Sequence, residues 1–235
     1  MKLTKTHIEE LYKFTRKHFV EHYDVQTELV DHLANDIEEI WVTQQHLSFQ
    51  EARDKSFKKF GIFGFMDVID AKKKQMNKRY WKIIIRFVKE WFTVPKIVTT
   101  SIIFLFFFVT LQIKFSEYFL LGILTLLIIY DIINFSRKRK KFKIRKKKKK
   151  KIFLLESMIG NTRNSFTGLT LMNLFNIVNL TKFEFSNLEI HWVILISAGS
   201  TLLCITFYII LIIIPQRAEE LLKETYPEYK LINNL

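Results

Sequence analysis

Residues 191–214 read HWVILISAGSTLLCITFYIILIII, a run without Asp, Glu, Lys or Arg that Pro215 and Arg217 bring to an end. Roughly 17–25 apolar residues cross a bilayer core as a helix, so this run reads as a membrane span. The pattern repeats upstream. Residues 97–113 (IVTTSIIFLFFFVTLQI) are uncharged and apolar, and residues 118–135 form another such run, interrupted by Asp131 near its end. The link between them, Lys114-Phe115-Ser116-Glu117, is short enough to make the pair an antiparallel hairpin. Residues 166–180 (FTGLTLMNLFNIVNL) are shorter and more polar and read as the third of four spans. The expected membrane region is therefore a hairpin over 94–135 and a second pair over 152–214.

Between the two pairs lies RKRKKFKIRKKKKKK, residues 137–151, with thirteen Lys or Arg in fifteen positions against a net charge of +14 for the whole chain. A nucleic-acid-binding domain spreads its basic residues over a folded face among readers of other types. Here they form one block beside a span, so no nucleic-acid partner is expected. Loops rich in Lys and Arg stay on the cytoplasmic side, which places 136–151 inside, and with four spans both termini and the tail 215–235 are inside as well. Loop 181–190, with one Lys and two Glu, falls outside. Arg137, Lys138, Arg139, Lys140, Lys141, Arg145, Lys146 and Lys147 are candidate contacts to anionic lipid of the inner leaflet, at about 1 kcal/mol per basic residue. Docking of this loop on an acidic face of the same chain, carried by Glu28, Asp31 and Glu39, is the other use it suggests.

The first ninety or so residues are charged throughout and contain no short apolar segment of the kind that opens a secretory signal. The single cysteine, Cys204, lies in the last span and forms no intramolecular disulfide. Strand-type alternation is absent, so the expected fold is all-α: an N-terminal cytoplasmic helical bundle over 1–76, then a four-helix transmembrane region.

Within 1–76 the first helix places Ile8, Leu11, Tyr12, Phe14 and Phe19 at helical spacing, with Thr6 as N-cap and Glu9 as its capping-box partner. The second carries an apolar stripe of Val25, Leu29, Leu33, Ile37, Ile40 and Trp41. The third starts at Ser48, with Glu51 closing the box, and stops at Gly61. A last turn or helix is expected over 65–74. Residues 77–93 then set Trp81, Ile84, Ile85, Val88 and Phe92 against Lys78, Lys82, Arg86 and Lys89. Such a helix suits the lipid headgroup plane; a continuous helix joining the domain to the first span is the other reading.

The strings ELVDHLANDIEEIW (28–41), LSFQEARDKSFKKFG (47–61) and DVIDAKKKQM (67–76) resemble the small helical cytoplasmic domain of the HAAS or permease-prefix type. The matching positions are Glu28, Leu29, His32, Leu33, Glu51, Ala52, Phe60 and Gly61. The resemblance covers residues 20–76 and implies a domain attached to membrane spans, with a regulatory role and a partner such as a PadR-like transcription regulator. The lysine-rich loop departs from that pattern.

Candidate chemistry is sparse. Glu28, His32 and Asp36 stand four residues apart on one helix face and could present a metal with carboxylates and an imidazole, but no second helix supplies a matching set and a solvated acidic face accounts for them. Asp131 lies close to the inner interface, where pairing with the basic loop accounts for it. Asn173, Asn176 and Asn179 would hydrogen-bond to Ser197, Ser200 or Thr201 of the last span, or line a polar path in a small transporter. No nucleophile with a base, phosphate-cradling glycine loop or metal motif is evident, so neither enzymatic activity nor a cofactor is expected. The sequence points to a multi-pass inner-membrane protein whose cytoplasmic domain regulates or scaffolds a partner.

Overall fold

A computed structural model describes residues 2–119, 151–161 and 185–229, with positions 121, 122, 125, 126, 129 and 133 between them. Arg137 to Lys147, Asp131, the three asparagines and the expected third span lie outside the described residues. Among the described residues all regular structure is helical, as the sequence led us to expect. The chain divides into two compact units, residues 1–79 with 149–157 and residues 80–148 with 158–235.

In the first unit, α1 (Lys5–Lys17) begins two residues earlier than its sequence suggests. Its N-cap is Thr4, whose Oγ1 accepts the His7 N–H at 3.3 Å while His7 Nδ1 accepts the Thr4 N–H at 3.3 Å. An imidazole thus takes the place of the usual glutamate, and the Thr6–Glu9 box does not form. The helix also ends before Phe19, which adopts φ 65° and is 81% exposed, and Val20 enters the core in its place. Helix α2 (Tyr23–Thr43) buries all six residues of its expected stripe. From its last turn Trp41 Nε1 donates to the Leu47 carbonyl at 2.9 Å, which folds the link back toward α3 (Phe49–Lys58). There Ser48 and Glu51 form the expected capping box.

The turn into α4 (Met66–Trp91) passes through Gly61 at φ 77° and Gly64 at φ 55°. A Cβ on Gly64 would stand 2.9 Å from the Phe57 ring, so this turn requires glycine for space as well as for backbone conformation. The helices expected over 65–74 and 77–92 are one continuous α4.

In the second unit α5 (Val94–Leu111) starts with Pro95 in its first turn, after a 92° break from α4. A turn at 112–115, with Phe115 at φ 69°, leads into helical residues 116–119. Helix α6 (Ile190–Gln216) includes a π-helical turn at Ile209–Ile213 and is followed by α7 (Ala218–Thr225). Helix α5 packs against α6, whose buried line is Val193, Ser197, Thr201, Ile205 and Ile209, one residue in four. Small side chains in that line allow close approach of helix backbones.

Outward-facing Val98, Ile102, Leu105, Leu195 and Leu203 are each more than half exposed. The hydroxyls of Thr100, Thr110, Ser197, Thr201 and Thr206 donate to the carbonyl four residues back at 2.7–2.9 Å, which satisfies them without water. Among the described residues, α6 is the one helix that is by itself long and apolar enough to cross a membrane. Residues 66–91 and 95–111 meet that test only jointly, as a bent pair. The four-span expectation thus reduces here to one helix, or two if the bent pair is one span.

Candidate interaction surface of the first unit

The polar face of α2 is charge-matched from within its own unit. Lys72 Nζ of α4 lies 2.6 Å from Glu28 Oε1, and Lys59, just past α3, pairs with Asp36. Between these two ion pairs the His32 ring meets the edge of Phe60 at 5.9 Å. Glu28, His32, Asn35, Asp36 and Glu39 line a shallow depression, yet among the described residues no three His, Cys, Asp or Glu side chains are grouped as a metal would require. Burial opposes ionisation of Asp36, but the hydrogen bond and charge of Lys59 outweigh it and hold its carboxyl below the ordinary value.

The residues that carry the HAAS-type resemblance serve mainly to build the fold. Leu29, Leu33 and Ala52 are in the core, Glu51 caps α3, and Gly61 forms the left-handed turn. The Glu51 carboxyl is held below its ordinary value by its hydrogen bonds from Ser48. Phe60 belongs to a cluster of rings with Phe57 and Phe65 at 4.8–6.4 Å. Ser197 and Thr201, by contrast, are buried between apolar helices with hydroxyls turned back on their own helix, and Ser200 is half-buried.

Two features escaped the sequence reading. The first is an apolar corner on an otherwise charged unit: Ile62 is 99% exposed, Phe63 71% and Met66 45%, while Phe65 between them is buried. Two glycines in GIFGFM were the available signal, since they take alternate apolar residues out of any helical face.

The second is a strap from beyond the basic loop. The Tyr23 N–H donates to the Ile152 carbonyl at 2.8 Å, and Asp24 Oδ1 accepts the Leu154 N–H at 3.0 Å. Phe153 meets the Tyr23 ring edge-on at 5.6 Å, and Phe153, Leu154 and Leu155 are buried. The expected docking of the basic loop on Glu28, Asp31 and Glu39 is not the contact seen for its last residue. Lys151 Nζ instead sits 4.3 Å from the centre of the Tyr23 ring, an attraction to the aromatic face.

Comparison of the chain with protein-family models, with curated proteins and with solved structures finds no match. The HAAS-type resemblance rests on the residues quoted for it.

Proposed function

We propose that this is a non-enzymatic integral membrane protein of the bacterial inner-membrane type. Its cytoplasmic helical unit regulates or scaffolds a soluble protein partner, such as a transcription regulator, and its basic block lies on anionic lipid of the inner leaflet. One observation carries the topology: residues 149–157 belong to the same compact unit as residues 1–79. A chain that leaves that unit at 79 and returns at 149 has crossed the bilayer an even number of times, which is what a hairpin over 94–135 provides. The basic block then falls on the side of the N-terminal unit, in agreement with the charge rule. The lipid-compatible outer residues of α5 and α6 and their internally bonded hydroxyls support the same reading. The surface offered to the partner is the Ile62–Phe63–Met66 corner.

Topology is tested by single cysteines placed by Lys13→Cys, Gly160→Cys and Glu220→Cys in a Cys204→Ser chain, labelled with a membrane-impermeant maleimide. All three should label only after the cells are opened. Labelling of Gly160→Cys but not Lys13→Cys in intact cells would refute the hairpin. The partner is tested by affinity capture with the full chain, where Phe63→Asp should release a soluble protein that the parent chain retains.

A further inference from the structure

The C-terminal half of α4 has two apolar faces, of which the unit covers one. Tyr80, Ile83, Ile84 and Phe87 are at most 8% exposed, so Ile84 leaves the stripe to which its spacing assigned it. Trp81, Ile85 and Phe92 are 45–54% exposed, and Val88 beside them is half-buried. At about 100° per residue Trp81, Ile85 and Val88 fall within an arc of about 60°, with Phe92 in the turn just after the helix, and the exposed Lys78, Lys82 and Lys89 occupy about 40° on the flank of that arc.

The neighbours of α4 give this stripe a direction. Arg86, about 100–160° from the stripe around the helix, makes a two-pronged ion pair with Glu224 of the polar α7 at 2.9 and 3.2 Å. Trp91, on the covered side of α4, meets the apolar helices. Its Nε1 donates to Thr100 Oγ1 at 3.2 Å, and its ring meets Tyr208 at 5.5 Å. Thr100 lies about 9 Å along α5 from its first residue. The side of α4 that carries the stripe therefore faces away from the polar α7, and α5 leaves at 92°.

We infer that residues 81–92 lie flat on a bilayer surface, with Trp81, Ile85, Val88 and Phe92 below the headgroups and Lys78, Lys82 and Lys89 on anionic phosphates. This rests on the membrane reading above. An exposed tryptophan at headgroup level, an apolar strip and a lysine flank are the chemistry of an interfacial helix, and the right-angled corner provides the geometry. The lysines select an anionic surface over a neutral one.

The test uses the full chain with Cys204→Ser in nanodiscs of phosphatidylcholine, with and without phosphatidylglycerol. Spin labels are attached singly at Ile85→Cys, Glu90→Cys and Leu203→Cys. The ratio of water-borne nickel complex to oxygen accessibility should be several-fold lower at 85 than at 90 and should resemble that at 203. Adding phosphatidylglycerol should lower it further at 85, and Lys78, Lys82 and Lys89→Gln together should remove that dependence. A label at 85 as open to nickel as that at 90, with 203 in lipid, overturns this inference alone. So does a label at 85 closed to both reagents, which would mean a protein neighbour. Nickel access at 203 would overturn the membrane reading and this inference with it.

Discussion

Asp24, near the start of α2, accepts through Oδ1 the backbone N–H of Leu154 at 3.0 Å, 130 positions away in sequence. Leu154 is the first residue of its helix, so a side chain from a distant part of the chain performs the capping that a local residue usually provides. Loss of a side-chain cap costs about 1 kcal/mol. Asp24→Ala should destabilise the first unit by that amount, and Asp24→Asn, which keeps an acceptor, by less. Hydrogen exchange of the amides in α2 and 154–157 reads the difference, and equal protection in all three chains would remove Asp24 from this role.

The strap is held by packing more than by its two hydrogen bonds. Leu155 is fully buried, and truncation of a buried leucine costs about 2–5 kcal/mol. Leu155→Ala should make residues 1–79 markedly more sensitive to limited proteolysis, whereas Ile97→Ala, at a half-exposed position on α5, should leave the digestion pattern unchanged.

The Asp36–Lys59 pair predicts an acid limb in stability. Because the folded carboxyl titrates below its ordinary value of 3.8, the pair contributes fully above that value and its contribution is lost as pH falls through the folded one. Denaturation followed from pH 7 to pH 3 should show a smaller loss in Asp36→Asn than in the parent chain. Parallel profiles would show that the pair is energetically silent.

The two glycines of the α3–α4 turn should differ. Gly61→Ala meets only the left-handed backbone, since nothing stands near its Cβ, while Gly64→Ala meets that conformation and the Phe57 ring as well. A non-glycine residue in this region costs about 1–3 kcal/mol. Gly64→Ala should lower the thermal midpoint of the first unit more than Gly61→Ala does, and the reverse order would contradict the turn described above.

Ser197 lies in the buried seam of α6, the helix against which α5 packs, and is fully buried. Ser197→Leu overfills that seam, at a cost of about 1–3 kcal/mol, whereas Ser197→Ala removes only a hydroxyl already bonded within its own helix. Thermal stability in detergent should fall for the leucine variant and change little for the alanine variant.

What could be read from the sequence was whatever one helix determines alone. The α2 stripe and the Ser48–Glu51 box are set by spacings of three and four residues, and the structure keeps both. The cap of α1 was misplaced because an imidazole at His7 does the work of a carboxylate. Phe19 was misplaced because the helix ends two residues before it, and apolar character cannot report that. Ile84 and Ile85 are adjacent in sequence but belong to different faces of α4, one covered by the unit and one exposed, and only the position of the packing partner separates them. The strap was invisible for a stronger reason: Ile152 to Leu155 is too short for a period, and its contacts are with Tyr23 and Asp24, far away along the chain.

That strap also fixes an order of events during synthesis. Phe153, Leu154 and Leu155 belong to a unit whose other residues are complete by position 79, so the growing chain cannot finish that unit on the ribosome until residues 80–148 have been made. Before the strap itself can clear the ribosome, both apolar runs of 94–135 have emerged. On the membrane reading proposed above, the last stitch of the N-terminal fold waits on a segment bound for the bilayer, and a chain that fails to insert there would leave its first unit open to proteolytic clearance.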